Sequence, residues 1–279
     1  MTATQATPPR YVLVDGTNLI YRATYAIGGA DPSRVAPDAA AKLAKGLIGK
    51  LTADEYREQH TIVVFDGGGT TWRHALYPGY KVGRKDPPPA IAPGTELLRD
   101  LLDAERTPNL SIPACEADDL IATLATAATF AGHPVTLVSS DADLLQLLDP
   151  DTTMLHIGPK VSVVTRHTPE TFAALWGFPS HLLPHYKALA GDDTDKILGV
   201  NQVGQVYAKR LLAQFPGGID AIYAGIDQVA AKALRANLIA GEADARTCLI
   251  LATLDRNVGQ RHPGGCCDPA EAVALWRPA

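Results

Sequence analysis

Short apolar runs recur in the first half of the chain, and aspartate follows each of them. The runs are YVLV (11–14), TIVVF (61–65) and VTLV (135–138), a pattern typical of buried strands. Asp15 and Asp66 follow the first two runs directly, and Asp141 follows the third after two serines. Further candidate strands are residues 153–155 and 161–164. These features predict a sheet whose strands end in carboxylates.

Segments with helical periodicity lie between the predicted strands and make up most of the chain after residue 168. The predicted helices are residues 37–51, 95–104, 117–131, 169–176, 180–189, 203–214, 219–224, 228–239 and 243–254. Strands that alternate with helices indicate an α/β domain built on a parallel sheet. We therefore predict a tail over 1–10, an α/β domain over 11–167 and a helical domain over 168–279.

Composition excludes several classes of protein. The chain has 279 residues, of which 46% are apolar and 20% are charged, so it is not disordered, collagenous or coiled-coil. No apolar run reaches the ~20 residues of a membrane helix, and the first residues do not resemble a signal peptide. The four cysteines, Cys115, Cys248, Cys266 and Cys267, lack CxxC or CxxxH spacing. We expect reduced thiols in a cytoplasmic protein, without zinc or membrane contact.

Nine carboxylates fall at predicted strand ends and helix starts. They are Asp15, Asp66, Glu116, Asp118, Asp119, Asp141, Asp143, Asp192 and Asp195. Ligands of an open parallel sheet bind at the carboxyl ends of its strands, so these acids should share one crevice. Like charges repel there, and oxygen ligands favour Mg²⁺ or Mn²⁺ as the neutralising cation. Taken singly, the same acids are also explained by helix capping or turn chemistry.

The charge balance changes once this cluster is set apart. The net charge of −5 argues by itself against a nucleic-acid partner. Without the nine carboxylates, 21 acids remain against 25 lysines and arginines. The rest of the surface is therefore compatible with a polyanionic substrate.

Six stretches together resemble the 5′-nuclease superfamily, which comprises flap endonucleases, bacteriophage 5′ exonucleases and the 5′-nuclease domain of bacterial DNA polymerase I. They are VLVDGTNLIYRA (12–23), VVFDGGGTTWR (63–73), YKVGR (80–84), EADDLIATLA (116–125), SSDADLLQLL (139–148) and GDDTDKILGVNQVG (191–204). The resemblance implies an α/β fold with a PIN-like parallel sheet flanked by helices and a C-terminal helical helix–hairpin–helix domain. The absence of a following polymerase domain suggests a stand-alone bacterial or phage form.

The resemblance also assigns the carboxylates to two metal sites. Asp15, Asp66, Glu116, Asp118 and Asp141 match the first site. Asp141, Asp143, Asp192 and Asp195 match the second site, with Asp119 nearby. Two Mg²⁺ or Mn²⁺ ions about 4 Å apart clamp the attacking and leaving oxygens of a phosphodiester.

A basic segment with interleaved aromatic residues lies between Asp66 and the next predicted helix, over about 70–94. Cations with aromatic rings suit a single strand, although an ordinary solvated loop has the same composition. In the family this segment is an arch over the active site. The resemblance implies that Tyr80, Lys81 and Arg84 steer the scissile phosphate, and that Arg22 and Arg73 contact phosphates.

A glycine-bounded hairpin separates two helical runs over about 185–215. Its backbone amides suit phosphate binding, and a plain connection between helices is the alternative. The resemblance implies duplex DNA binding there, with K⁺ on hairpin carbonyls. The residues concerned are Gly199, Val200, Val203, Gly204, Lys209 and Arg210. Leu198, Gln202 and Val206 depart from the family's proline, glycine and lysine.

The function expected from these features is structure-specific 5′ nuclease activity. The substrate would be DNA with 5′ ends, flaps or junctions, with RNA primers in RNA–DNA hybrids as a further substrate, and the protein a monomer. A PIN-type ribonuclease and a non-catalytic DNA-binding module are the alternatives; the hairpin region argues against the first and the full set of acids against the second. A dehalogenase-type phosphatase needs an aspartate at position 13, where the chain has Leu13.

Overall fold

A six-stranded sheet forms the centre of the molecule. The computed structural model describes residues 10–53, 59–158, 160 and 163–261. The strands are β1 (Arg10–Asp15), β2 (Gln59–Phe65), β3 (Asn109–Ser111), β4 (Val135–Ser139), β5 (Thr152–Ile157) and β6 (Val164–His167). Their order is β3-β2-β1-β4-β5-β6, and all neighbours are parallel except the antiparallel pair β5–β6. The carboxyl ends of β1, β2 and β4 therefore lie at the same edge.

Helices cover both faces of this sheet. The helices of the first half are α1 (Gly16–Gly28), α2 (Pro37–Thr52), α3 (Trp72–Leu76), α4 (Ile91–Ala104) and α5 (Ala117–Phe130). Side chains alternate along β1, so Val12 and Val14 pack with α1, α2 and α4, whereas Tyr11 and Leu13 pack with α5. The strands are buried on both faces, which explains their continuous apolar runs.

The chain beyond β6 is helical as far as it is described. These helices are α6 (Pro169–Trp176), α7 (Leu183–Ala190), α8 (Gln205–Gln214), α9 (Gly218–Ala224), α10 (Lys232–Ala240), α11 (Glu242–Ala252) and α12 (Val258–Arg261). Leu189, Leu211 and Leu251 from this half share one continuous core with Leu13 of β1 and Leu124 of α5. The helical half is therefore fixed against the sheet, and its hairpin has a defined place beside the strand ends.

Several predicted elements differ from the structure. Helix α1 and strand β3 were not predicted, because α1 starts directly at the glycine after Asp15 and β3 is only three residues long. The strand predicted over 161–164 lies further along the chain in the structure, where β6 runs from Val164 to His167. Residues 161 and 162 lie outside the described residues. Arg10, assigned to the tail, is the first residue of β1.

The remaining predictions concern the ends of the chain, the cysteines and membrane-spanning helices. Residues 1–9 of the predicted tail and residues 262–279, with Cys266 and Cys267, lie outside the described residues. Cys115 and Cys248 are buried. In the part of the chain that is described, no helix is long and apolar enough to cross a membrane.

Candidate active site

The aspartates that follow the strands meet in one cleft, as the topology requires. A cavity of about 610 Å³ opens at the carboxyl edge of the sheet and is lined by Asp15, Asp66 and Asp141. Asp15 caps α1, because its carboxylate accepts hydrogen bonds from the Asn18 amide and the Ser139 hydroxyl, both at 2.8 Å. These bonds fix the first carboxylate rigidly at the floor of the cleft.

Helix α5 and the segment after β4 add further acids to the cleft. Glu116 is the N-cap of α5, and the amide of Ala117 donates to Asp66 at 2.8 Å. Asp118 lies in the first turn of α5 and lines the cavity. Asp143 lines the cavity from the turn after β4, where its amide donates to Asp141 at 2.9 Å. Elements distant in sequence thus supply one set of carboxylates.

Burial and mutual repulsion raise the pKa values of the innermost acids. Burial and the neighbouring Asp66 and Asp141 raise the pKa of Asp15 to about 7, against hydrogen bonds that lower it. The pKa of Asp118 is raised well above its ordinary value by burial and then by Asp141 and Asp15. Burial also raises the pKa of Asp66. Neutralising this floor therefore requires either protons or a cation.

Lys187 enters the cleft from the last turn of α7 and is not among the site residues predicted from the sequence. Its ammonium group donates to the carboxylates of Asp143 and Asp192. Burial lowers the pKa of Lys187, but the two carboxylates outweigh burial and raise it above its ordinary value. Burial raises the pKa of Asp143 to about 6 despite this lysine. The available signal was its position five residues before Asp192, on the helix that leads into the acidic hairpin.

The three residues predicted to act from the arch reach the cleft, and all three are bound to acids. Lys81 donates to Glu116, and Arg84 donates to Asp195 at 2.6 Å. Tyr80 is only 3% exposed, and its hydroxyl lies 3.2 Å from a carboxylate oxygen of Glu116 and 3.1 Å from one of Asp195, so the two acids share its single proton. The Lys81 amide also donates to the carbonyl of Asp195 at 3.1 Å. These contacts join the arch segment to the hairpin across the cleft.

Two cations stabilise Glu116 in its charged form. Burial by itself would raise its pKa, but Lys81 and Arg73 together hold the pKa below its ordinary value. Because Tyr80 is buried and bonded to two acids, its position in this structure suits holding Lys81 and Glu116 in place rather than contacting a phosphate.

Arg73 and Asp119 form a buried ion pair, which corrects two sequence-based assignments. Arg73 is 2% exposed and donates to Asp119 at 2.7 and 2.8 Å, to Glu116, and to the carbonyls of Leu251 and Thr253. Asp119 is 1% exposed and does not line the cavity. Arg73 borders the cavity, but its guanidinium donors are used by these acids and carbonyls. Asp119 has no free oxygen directed at the cleft. This pair instead fastens α3, α5 and the end of α11 together.

The aromatic residues interleaved with these cations are also used internally. The indole of Trp72 donates to Asp119 at 3.0 Å, and the Arg73 guanidinium lies 4.4 Å from the ring centroid of Trp72. Tyr77 packs against the hydrophobic core. The composition of the segment predicted base stacking, whereas these rings support the base of the arch.

The donor set of the cleft fits a divalent cation. Eight of the nine predicted carboxylates line the cavity together with four lysines and arginines, an excess of four negative charges when all are ionised. No lysine or arginine within the described ranges forms an ion pair with Asp15, Asp66, Asp118 or Asp141. Buried carboxylates without histidine or cysteine favour Mg²⁺ or Mn²⁺. Within the described residues, no three acids, histidines or cysteines are already gathered around a point that would hold an ion.

The hairpin between α7 and α8 is held by its own backbone, which changes the roles expected of its residues. Val200 and Val203 are buried, and their amides donate to the carbonyls of Leu189 and Val200, both at 2.9 Å. These two amides are therefore not available to a phosphate. Gly199 has φ +69°, and a Cβ there would lie 2.3 Å from the nitrogen of Gly191. Glycine is needed at 199 because the two sides of the hairpin touch.

Gln202, and not Gly204, has the backbone conformation that favours glycine. Gly204 is extended, with φ −80° and ψ 178°, and a Cβ there would meet open space. Residues with a Cβ can therefore adopt the backbone conformation of Gly204 without strain. Gln202 has φ +59°, the left-handed region that favours glycine, and its side chain accepts a hydrogen bond from Asn237 at 3.2 Å. The departure at 202 thus falls on the strained position.

The remaining predicted DNA contacts lie on the surface or near it. Arg210 is exposed, and the ammonium group of Lys209 lies 4.8 Å from the ring centroid of Trp176. Arg22 donates to the carbonyl of Gly158 and lies outside the cavity lining. Leu198 and Val206 are exposed, so the outer surface of the hairpin is apolar at both departures.

Comparisons with known proteins agree with this architecture. A family model described as the 5′-3′ exonuclease N-terminal resolvase-like domain matches residues 10–177, and one described as the 5′-3′ exonuclease C-terminal SAM fold matches residues 178–263. DNA polymerase I of Geobacillus stearothermophilus is 34% identical over 229 residues, which are 82% of this chain and 26% of that protein. The thermostable DNA polymerase I of Thermus thermophilus is 35% identical over 233 residues, 83% of this chain and 27% of that protein. The chain thus spans about a quarter of the length of these curated relatives.

A solved structure extends the likeness over nearly the whole chain. The bacteriophage T5 5′-exonuclease with divalent zinc ions bound has a TM-score of 0.67 at 23% identity, covering 96% of this chain and 94% of that one. At this identity the likeness supports the fold, while the family models and the curated relatives carry the assignment. The chain therefore belongs to the 5′-3′ exonuclease family, whose members are nucleases.

Proposed function

We propose that this chain hydrolyses DNA phosphodiester bonds near 5′ ends, flaps and single-to-double-strand junctions, with two Mg²⁺ or Mn²⁺ ions as cofactors. The observation that carries the proposal is the convergence of eight carboxylates, from strand ends, α5 and the hairpin, on one cleft with basic residues at its side. The family assignment supports the same chemistry. A related bacteriophage T5 flap endonuclease, 22% identical with a TM-score of 0.67, was solved in complex with DNA and metal ions.

The acids of the cleft would hold the ions from two sides. Asp15, Asp66 and Asp118 would bind on the sheet side, and Asp143 and Asp192 on the hairpin side, with Asp141 between them. The ions would supply Lewis-acid chemistry and an activated water for attack on phosphorus. The carboxylates supply the negative charge that keeps these cations in place and the geometry that sets where the scissile phosphate stops.

Lys81 and Arg84 would stabilise the negative charge that grows on the scissile phosphate. Both now pair with acids, Lys81 with Glu116 and Arg84 with Asp195. A phosphate entering the cleft offers them a second partner, so no new cation has to be brought from solvent. Arg84 is half exposed at the mouth and would meet the backbone first, while Lys81 lies deeper.

The hairpin would hold the duplex beside the cleft without reading sequence. Its surface presents the exposed residues Asn201, Gln202 and Arg210, which suits contact with a phosphate backbone. The hairpin carbonyls would bind K⁺, so duplex affinity should be higher in K⁺ than in Li⁺. An equal affinity in the two salts would remove K⁺ from the proposal.

The test uses purified protein and four labelled substrates: a 5′ flap, a nicked duplex, a blunt duplex and an RNA-flapped duplex. Cleavage is measured with Mg²⁺, Mn²⁺ or chelator. We expect cleavage of the flap and nicked substrates, dependent on a divalent ion, and its loss in Asp141→Ala that retains the wild-type circular dichroism spectrum. Folded Asp141→Ala with near wild-type cleavage would contradict the metal assignment. Preferential cleavage of free single-stranded RNA would instead indicate a ribonuclease.

A further inference from the structure

Lys187 divides the cleft acids into two groups with different charge environments. Its side chain is 14% exposed, and its ammonium group bridges Asp143 and Asp192, which come from different parts of the chain. The side chains of those two acids are 16% and 15% exposed, so solvent screens these contacts little. The hairpin-side pair therefore already has a buried counter-ion.

The sheet-side group has no such counter-ion. Asp15, Asp66 and Asp118 form no ion pair with a lysine or arginine in the ranges that the structure describes. Their fixed hydrogen-bond donors are neutral: the amide of Asn18, the hydroxyl of Ser139 and the amide of Ala117. The charge of Lys81 acts to lower the pKa of Asp66, but Lys81 itself is paired with Glu116. A cation reaching this group therefore gains attraction without having to break an ion pair.

The backbone keeps Lys187 beside its partners. The amide of Gly191 donates to the Lys187 carbonyl at 2.8 Å and closes α7. Asp192 is then fixed by paired backbone hydrogen bonds with Ile197, at 2.8 and 2.9 Å. The lysine and Asp192 thus have a set separation, and only the lysine side chain has to rotate to free both carboxylates.

We propose that Lys187 is a built-in counter-ion of the hairpin-side carboxylates, so that the two halves of the metal centre fill in order. The sheet-side group binds the first divalent ion tightly. The second ion binds more weakly, because it must displace the Lys187 ammonium group from Asp143 and Asp192. This inference rests on the proposed metal-dependent function and adds to it how many ions are held before substrate arrives.

The expected weakening of second-ion binding follows from competition between the ion and the Lys187 ammonium group for the same two carboxylates. The apparent affinity of a ligand falls by the fraction of molecules whose site is free. If the lysine leaves the two carboxylates free in about one molecule in ten to one in a hundred, second-ion binding is weakened roughly 10- to 100-fold. Removing the lysine should recover that factor.

The test measures Mn²⁺ binding to the DNA-free chain by calorimetry and by electron paramagnetic resonance of unbound Mn²⁺. The variants are Lys187→Met, which keeps the aliphatic stem, Lys187→Arg, which keeps the charge, and Lys196→Met as the matched control. Lys196 is an exposed lysine of the same hairpin. Circular dichroism establishes that each variant is folded.

We expect one tight and one weak Mn²⁺ in the wild type, a weak site at least about tenfold tighter in Lys187→Met, and wild-type behaviour in Lys196→Met. Lys187→Arg should keep the weak site weak. Should Lys187→Met be unfolded, equal affinity of the two ions in the wild type still refutes the ordered filling. An unchanged weak site in folded Lys187→Met, or the same tightening in Lys196→Met, also overturns it. Wild-type flap cleavage, measured in parallel, separates these failures from failure of the proposed function.

Discussion

Replacing Gly199 by alanine should destabilise the hairpin and weaken duplex binding. Gly199 has φ +69°, and the added Cβ would lie 2.3 Å from the Gly191 nitrogen and 2.8 Å from the carbonyl carbon of Ala190. Both neighbours are backbone atoms, so no side chain can rotate away to make room. The two sides of the hairpin must therefore separate.

The cost can be estimated from the contacts that this separation disturbs. A left-handed conformation costs a residue with a Cβ about 1–2 kcal/mol. The separation also strains the hydrogen bonds from Gly191 to Lys187 and from Val200 to Leu189, at 2.8 and 2.9 Å, each worth about 0.5–1.5 kcal/mol. A loss of about 2–4 kcal/mol is expected, which corresponds to a fall in Tm on the order of 10 °C for a chain of this size.

Thermal unfolding and junction-DNA titrations in Ca²⁺ at two salt concentrations measure both effects. The matched control is Gly204→Ala, because Gly204 is extended and a Cβ there meets open space. Its stability should change by less than about 1 kcal/mol, since the poorer helix cap and the lower entropy of the unfolded chain oppose each other. Equal Tm values for Gly199→Ala and Gly204→Ala would refute the steric reasoning. A lower Tm with unchanged DNA affinity would show that the hairpin does not hold the duplex.

Three further predictions concern the cleft and the hairpin. Lys81→Ala and Arg84→Ala should each slow single-turnover cleavage of a flap by about 10²-fold or more, because each removes a cation from the developing phosphate charge; a pure binding defect with an unchanged single-turnover rate would contradict this role. Gln202→Gly, which relieves a residue at φ +59°, combined with Val206→Lys, which adds a cation beside the hairpin, should tighten duplex binding in an Asp141→Ala background, and most strongly at low salt; unchanged titrations at both salts would count against the hairpin as the duplex site. Asp15→Asn should reduce the loss of stability of the metal-free protein between about pH 4 and pH 7, because the folded state retains on Asp15 a proton that the unfolded chain releases near its ordinary value of 3.8; Tm curves of equal pH dependence for the two proteins would oppose the raised pKa.

The strands and most helices could be predicted because local pattern determines them. Buried parallel strands such as β1 and β4 are continuous apolar runs, and α2, α5 and α6 carry clear helical periodicity and starts. The meeting of Asp15, Asp66 and Asp141 also followed from sequence, since parallel strands end at one edge. Strands β3 and β6 have only three and four residues, which are too few for a hydrophobic pattern to give their positions.

What only the tertiary structure decided is which polar group each side chain meets. Arg73 and Asp119 look like site residues in sequence, yet packing of α3 against α5 and α11 buries them as a pair. Lys187 gave no motif signal, and its importance comes from the fold bringing Asp143 and Asp192 to one ammonium group. Likewise, nine glycines and five other residues in the described ranges have a positive φ, and the sequence does not distinguish among them. Only the closeness of the two hairpin backbones leaves no room for a Cβ at Gly199. Period and spacing are local properties that sequence records, whereas burial and ion pairing depend on distances between segments that only the folded chain sets.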